Sequence, residues 1–301
     1  MTILLLGKNG QVGWQLQRAL APLGDVVALD RAGADGLCGN LEDLDGLAAT
    51  VRALRPRAIV NAAAYTAVDK AESEPELAQR INADAPAALA REAAACGALL
   101  LHYSTDYVFD GSGSAAWKEG DACAPLGAYG ASKLAGERAI QQSGCAHLIF
   151  RTSWVYAARG ANFARTMLRL AAEREQLNVI ADQWGAPTGA ELIADVSAHA
   201  LAQTLAAPEK AGLYHLAAAG ETNWLEYARL VLAHAAAQGA NIKAREVLPI
   251  ATDEWPSAAR RPLNSRLDTS RLRQRFGLTL PPWQQGVARA VSDMLSSAKT
   301  P

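Results

Sequence analysis

The strongest constraint on this chain lies at its N-terminus, where the apolar run Ile3-Leu4-Leu5-Leu6 leads straight into Gly7-Lys8-Asn9-Gly10-Gln11-Val12-Gly13. Four aliphatic residues without polar alternation predict a strand buried on both faces of a parallel sheet. After Gly7 the chain must turn sharply. A helix beginning near Gln11 then aims its free N–H groups and dipole at whatever lies in the turn. Gly10 lacks a Cβ, so a phosphate can approach the backbone, and Gly13 lets the first helical turn pack on the strand. The spacing is G-x-x-G-x-x-G rather than G-x-G-x-x-G, a variant of the dinucleotide fingerprint. An ordinary strand–turn–helix corner uses the same glycines.

Further strand-like runs at 26–29, 58–60, 98–103 and 147–151 alternate with helical stretches. That rhythm predicts an α/β fold, a doubly wound, Rossmann-like parallel sheet with right-handed crossovers. After about residue 155 it loosens into a helix over 162–173, a loop carrying Gly185-Ala186-Pro187-Thr188-Gly189, another helix, and a strand near Leu213–Leu216. A Pro- and Arg-rich stretch follows, Glu254 to Asp268. The expected organisation is a dinucleotide-binding domain over 1–155, with returning elements around 190–218. A smaller, interleaved C-terminal substrate lobe occupies most of 156–301.

The charges nearly cancel, 29 basic against 30 acidic residues, which leaves no footprint for nucleic acid or an anionic membrane. The first apolar run has no basic flank and is too short for a signal peptide or a membrane span. Cys38, Cys96, Cys123 and Cys145 form no C-x-x-C pair and read as reduced thiols of a cytoplasmic protein.

Open parallel sheets place ligands at the carboxyl ends of their strands. Asp30 ends the second run near the offset at which a carboxylate meets the adenosine ribose, which favours NADH. Arg31 follows at once. Its guanidinium offers a 2′-phosphate a bidentate partner, or it is a solvated loop charge, so NADPH and NADH both stay open. The third run ends in Asn61-Ala62-Ala63-Ala64-Tyr65-Thr66, small residues on which a flat cofactor can lie. The fourth ends in Ser104-Thr105-Asp106-Tyr107, whose hydroxyls stand where a substrate oxygen would arrive or else cap the strand as an ST-type turn. Tyr129 and Lys133 are one helical turn apart and share a face. An ammonium beside a phenol lowers its pKa, and such a phenol can protonate a carbonyl as hydride reaches the carbon. These segments together point to a hydride-transferring enzyme.

The motifs resemble those of the extended short-chain dehydrogenase/reductase superfamily. Gly7–Gly13, Asn61–Thr66, Val68–Glu72, Ser104–Phe109, Tyr129–Lys133, Arg151–Tyr156, Gly185–Thr188 and Arg260–Ser265 are similar to those of its dTDP-4-dehydrorhamnose reductase family. That resemblance implies NAD(P)H-dependent reduction of the 4-keto group of dTDP-4-dehydro-β-L-rhamnose, giving dTDP-L-rhamnose for cell-surface polysaccharide such as O antigen. It makes Tyr129 the proton donor, Lys133 the holder of the nicotinamide ribose, and Thr105 the partner of the reacting oxygen. By the same resemblance Gly10, Gln11, Val12, Asp30, Asn40, Leu41, Ala63, Ala64, Tyr65 and Tyr103 contact the cofactor. Thr105, Asp106, Tyr129 and Trp154 contact the sugar nucleotide, and an indole face suits a 6-deoxy sugar.

The resemblance also implies a homodimer. In some members Mg²⁺ is bound by carboxylates at the dimer contact, for which Glu191 and Asp293 are the candidates. Gln15 supplies no charge where an acid would strengthen such a site. Two other readings stay open: a nucleotide-sugar epimerase or dehydratase of the superfamily, which Asp106 would suit, and a non-catalytic dinucleotide-binding regulatory subunit.

Overall fold

The computed structural model describes residues 1–297. Six strands form the central sheet: β1 (Thr2–Leu6), β2 (Asp25–Leu29), β3 (Ala58–Asn61), β4 (Leu99–Thr105), β5 (His147–Thr152) and β6 (Gly212–His215). All pair in parallel, in the order β6-β5-β4-β3-β1-β2. Successive side chains leave a strand on opposite faces, so Ile3 and Leu5 enter one core while Leu4 and Leu6 enter the other. The uniform apolarity of the first run is the signature of that double burial. Strand order reverses at β1, and the crevice past the carboxyl ends of β1 and β3 is where such sheets bind ligands.

Helices α1 (Gln11–Leu20), α2 (Leu44–Leu54), α3 (Ala85–Cys96) and α4 (Ala128–Gln142) cross between the strands. The second half supplies α5 (Phe163–Glu173), α6 (Ala190–Ala206), α7 (Trp224–Ala237), α8 (Ser270–Phe276) and α9 (Trp283–Ser297). α5 starts where the side chain of Asn162 accepts from the Arg165 N–H, one residue inside the expected boundary. α6 packs along α1, and Leu272 and Phe276 of α8 join the same core beneath the sheet. A separate core joins α5, α7 and α9 through Tyr156, Val179, Tyr227, Val231, Trp283 and Val291. A parallel strand pair, Gln176–Ile180 with Glu246–Ile250, belongs to this second body. The expected loop at 185–189 contains the ends of two short strands, Trp184–Gly185 and Thr188–Gly189. Among the described residues no helix is long and apolar enough to cross a membrane.

Candidate active site

The carboxyl ends of β1, β3, β4 and β5 open into one cleft of about 710 Å³. At one end stands the glycine turn. Gly7 has a φ of +85°, and a Cβ there would sit 2.7 Å from the Ala63 nitrogen. A Cβ on Gly13 would sit 2.0 Å from the Gly7 carbonyl oxygen, so Gly13 supports the turn from behind and does not line the cleft. A Cβ on Gly10 meets only the Gly7 oxygen at 3.4 Å, which leaves its cleft face clear. Gly10 is the N-cap of α1 and no side chain caps the helix, so its first N–H groups are left for an anion. A dinucleotide pyrophosphate fits this cradle.

Asp30 lines the same end and is held by three partners. Asn9 Nδ2 donates to it at 2.9 Å, the Ala32 N–H at 3.0 Å, and Lys8 Nζ lies 3.6 Å away. Arg31 also lines the cleft, but its guanidinium is ion-paired with Glu42 and its side chain is 76% exposed. Asn40, Leu41, Ala63 and Ala64 form the adjoining walls. Tyr65 departs from expectation. It does not line the cleft, because its hydroxyl donates to Glu74 at 2.6 Å, and Thr66 and Val68 take that stretch of wall instead.

At the other end β4 delivers Tyr103 and Thr105, and the turn just past it Asp106, opposite Tyr129 and Lys133 of α4. Thr105 Oγ1 donates to Asp106 Oδ1 at 3.0 Å and accepts from the Tyr107 N–H at 3.1 Å. The Tyr129 ring lines the same cleft as Thr105 and packs edge-on against Tyr107, ring centroids 5.6 Å apart. Burial, the Asp106 charge and Tyr107 raise the phenol above its ordinary value, with only Thr105 favouring the phenolate. The expected lowering by Lys133 is therefore corrected. Lys133 Nζ donates to the Tyr103 carbonyl at 2.5 Å and lies 3.3 Å from His102 Nε2. Burial brings Lys133 down to about 8, opposed by Glu137, and pushes Asp106 up to about 6. Ser104 Oγ, Asp106 Oδ2 and Thr152 Oγ1 are buried without partners, and all three residues line the cleft. Such orphaned groups call for a polar ligand.

Trp154 also lines this end of the cleft. It holds a φ of +50°, costly for a side chain of its size, and stacks on Trp224 with ring centroids 3.7 Å apart. Tyr103 lines the cleft with its hydroxyl 2.7 Å from Ser197 Oγ.

Three residues to which the sequence assigns no role tie the site together. Asn82, in a π-helical turn at Arg80–Asp84, donates to the Tyr65 carbonyl and to Ser132 Oγ and accepts from the Tyr65 N–H. It thereby clamps the Ala62–Thr66 loop to the helix of Tyr129 and Lys133. Asn61 and His102 lie buried behind Lys133.

Glu191 and Asp293 lie elsewhere, around a smaller cavity of about 170 Å³. Glu191 Oε2 is 3.5 Å from Arg289, and Arg289 and Asp195 line the same space. Among the described residues no three His, Cys, Asp or Glu side chains are grouped to hold a metal. Glu191 is accompanied there by Arg289, both side chains solvent-exposed.

Fold and site define an oxidoreductase of the extended short-chain dehydrogenase/reductase class, with a dinucleotide turn at one end of its cleft and a Thr/Tyr/Lys constellation at the other. The family model of the RmlD substrate binding domain matches residues 1–296. The chain is 56% identical over 297 residues to the dTDP-4-dehydrorhamnose reductase of Escherichia coli (strain K12), with 99% of each chain covered. The crystal structure of a dTDP-4-dehydrorhamnose reductase from Clostridium acetobutylicum superposes with a TM-score of 0.88 at 32% identity, covering 98% of this chain and 100% of that one. That of the Bacillus anthracis enzyme in complex with NADP superposes with a TM-score of 0.86 at 35% identity, covering 97% and 99%. The chain belongs to the dTDP-4-dehydrorhamnose reductase family.

Proposed function

We propose that the chain reduces the 4-keto group of dTDP-4-dehydro-β-L-rhamnose to dTDP-L-rhamnose, with NADPH or NADH as reductant. The observation that carries this reading is the convergence of Thr105, Tyr129 and Lys133 at the end of a cleft whose other end is the open Gly10 cradle. A reduced nicotinamide, when bound, supplies the hydride. Everything else falls to the chain's own residues.

The N–H groups at the start of α1 hold the pyrophosphate, Asp30 accepts from the adenosine ribose, and Lys133 donates to the nicotinamide ribose. The Thr105 and Tyr129 hydroxyls meet the ketone oxygen, and Tyr129 gives its proton to the alkoxide as charge develops there. A phenol kept protonated by burial is suited to that task, because it gives up its proton only to a strong base such as an alkoxide. Asp106 Oδ1 fixes the Thr105 rotamer, and its free Oδ2 is available to a sugar hydroxyl. Trp154 offers its ring to the 6-methyl edge.

Residues 1–155 with 190–218 then serve as the dinucleotide unit, joined by α8 through Leu272 and Phe276, and most of the rest of 156–297 as the sugar-facing lobe. A cytoplasmic homodimer supplying O-antigen or lipopolysaccharide assembly completes the reading. Glu191 and Asp293 have no part in the chemistry. The epimerase or dehydratase alternative is disfavoured by a full-length match to reductases. The test is a coupled assay with freshly generated dTDP-4-dehydro-β-L-rhamnose, following oxidation of each cofactor. Absence of oxidation with both would overturn the assignment.

A further inference from the structure

A histidine stands directly behind the lysine of the Tyr-x-x-x-Lys pair, and its protonation is dictated from the far side. Asn61 at the end of β3 and its register partner His102 on β4 are each 1% exposed. Asn61 Oδ1 accepts from the Ala63 N–H at 3.2 Å, which fixes the amide and turns Nδ2 toward His102 Nδ1, also at 3.2 Å. An amide NH₂ only donates. His102 Nδ1 is therefore the acceptor, and the imidazole proton sits on Nε2. That Nε2–H faces Lys133 Nζ at 3.3 Å. An N–H opposite an ammonium is two donors face to face. The contact becomes a hydrogen bond only when Lys133 is a neutral amine whose lone pair accepts from His102, while another of its N–H bonds goes to the Tyr103 carbonyl.

We propose that His102, its tautomer set by Asn61, is a positioning residue that favours the neutral amine of Lys133. It thereby governs the charge with which the lysine meets the cofactor ribose and Tyr129. Burial acts in the same direction on both partners. Lys133 comes down to about 8, and His102 is held well below its ordinary value, first by burial and then by the lysine charge. The other groups around the pair are few. From α4, Glu137 opposes the effect, but its carboxylate is engaged by Arg151 of β5. Tyr129 of α4, and Asp106 and Tyr107 past the end of β4, face the same cleft, and the Lys8–Asp30 pair stands at its distant end. Asn61, the contribution of β3, is uncharged.

The lysine's titration is independent of the substrate, whereas the kinetic consequence rests on the reductase reading. The two are therefore measured separately. Titration of Lys133 in the full chain without sugar is followed by NMR of ¹³Cε-labelled lysine, with the resonance assigned by Lys133→Arg. His102→Phe removes the N–H donor and keeps the site apolar, so the midpoint rises by about half a pH unit; burial acting alone would lower it or leave it. Asn61→Asp accepts from Nδ1–H, moves the proton off Nε2 and turns that nitrogen into an acceptor for the ammonium. The midpoint then rises by about one pH unit, a tenfold gain in proton affinity. In the His102→Phe background the same Asn61→Asp change raises it by less than half as much, because only the direct charge effect remains.

Equal rises in the two backgrounds, or a midpoint lowered or unmoved by His102→Phe, would overturn the proposal. Should Asn61→Asp fail to fold, the sign of the His102→Phe shift decides. With the sugar nucleotide present, the alkaline limb of kcat moves with the NMR midpoint. An NMR shift as expected with no turnover in the parent enzyme sinks the reductase reading and leaves the role of His102 supported.

Discussion

Glu137→Gln replaces one partner of the buried pair that anchors α4 to β5. Arg151 Nε and Nη2 donate to the two carboxylate oxygens at 2.8 and 2.6 Å, and the side chains are 4% and 1% exposed. The 0–1 kcal/mol of a solvated pair therefore does not apply. Losing the counter-charge leaves a guanidinium whose Nη1 already has no partner and whose Nη2 otherwise meets only the Cys123 sulfur at 3.3 Å. Stranding one ion of a buried pair costs about 3–5 kcal/mol. Gln keeps an oxygen near Arg151 and should fall near 3; Glu137→Leu should fall near 5. The double replacement Glu137→Leu with Arg151→Met removes the stranded charge and should return to within about 1 kcal/mol of the parent. Urea unfolding at fixed protein concentration, comparing midpoints at constant slope, measures all four corners. A single replacement costing under about 1 kcal/mol, or a double costing the sum of its singles, would refute the argument from burial.

Tyr129→Phe should lower kcat by roughly 10²- to 10⁴-fold with cofactor binding nearly intact; retention of more than about a tenth of kcat with chemistry rate-limiting removes Tyr129 as proton donor. Asp106, at about 6 in the fold against 3.8 ordinarily, binds its proton more tightly when folded. Its contribution to stability is full below about pH 4 and is lost as pH rises through about 6. Asp106→Asn should abolish that dependence, so the stability gap to the parent changes by up to about 3 kcal/mol between pH 4 and pH 7; parallel stability curves would refute this. Arg31→Ala should reduce kcat/KM for NADPH by roughly 3- to 10-fold, a solvent-screened contact, and leave NADH within about twofold. Equal losses with both cofactors would make Arg31 a plain partner of Glu42.

What was legible in the sequence was whatever local chemistry dictates. The doubly buried strands announce themselves as aliphatic runs, and the glycine turn as residues whose Cβ atoms would collide. Tyr129 and Lys133 are one helical turn apart wherever they occur. What was illegible depends on register between strands distant in sequence. Asn61 meets His102 only because β3 and β4 pair in one alignment, and no spacing rule marks Asn82 as the tie between two loops and a helix. Tyr65 was misplaced because neighbouring residues in an irregular loop look alike until Glu74 claims one hydroxyl. The surroundings of Lys133 are illegible for a related reason: helical spacing places the lysine beside Tyr129 but says nothing of the carbonyl and imidazole below it.

The separation of the two cores has an evolutionary consequence. The aliphatic cluster beneath the sheet and the aromatic cluster of α5, α7 and α9 both draw on Leu192, and Trp154, packed against the second, lines the cleft. Substitutions in bodies that share few contacts combine nearly additively. On the proposed reading of Trp154 as the sugar contact, a lineage can repack the aromatic body, tilt Trp154 and change which sugar is admitted, while the glycine cradle and the Tyr129 helix stay under a separate set of constraints. On that reading, drift in what is recognised is decoupled from drift in how it is reduced.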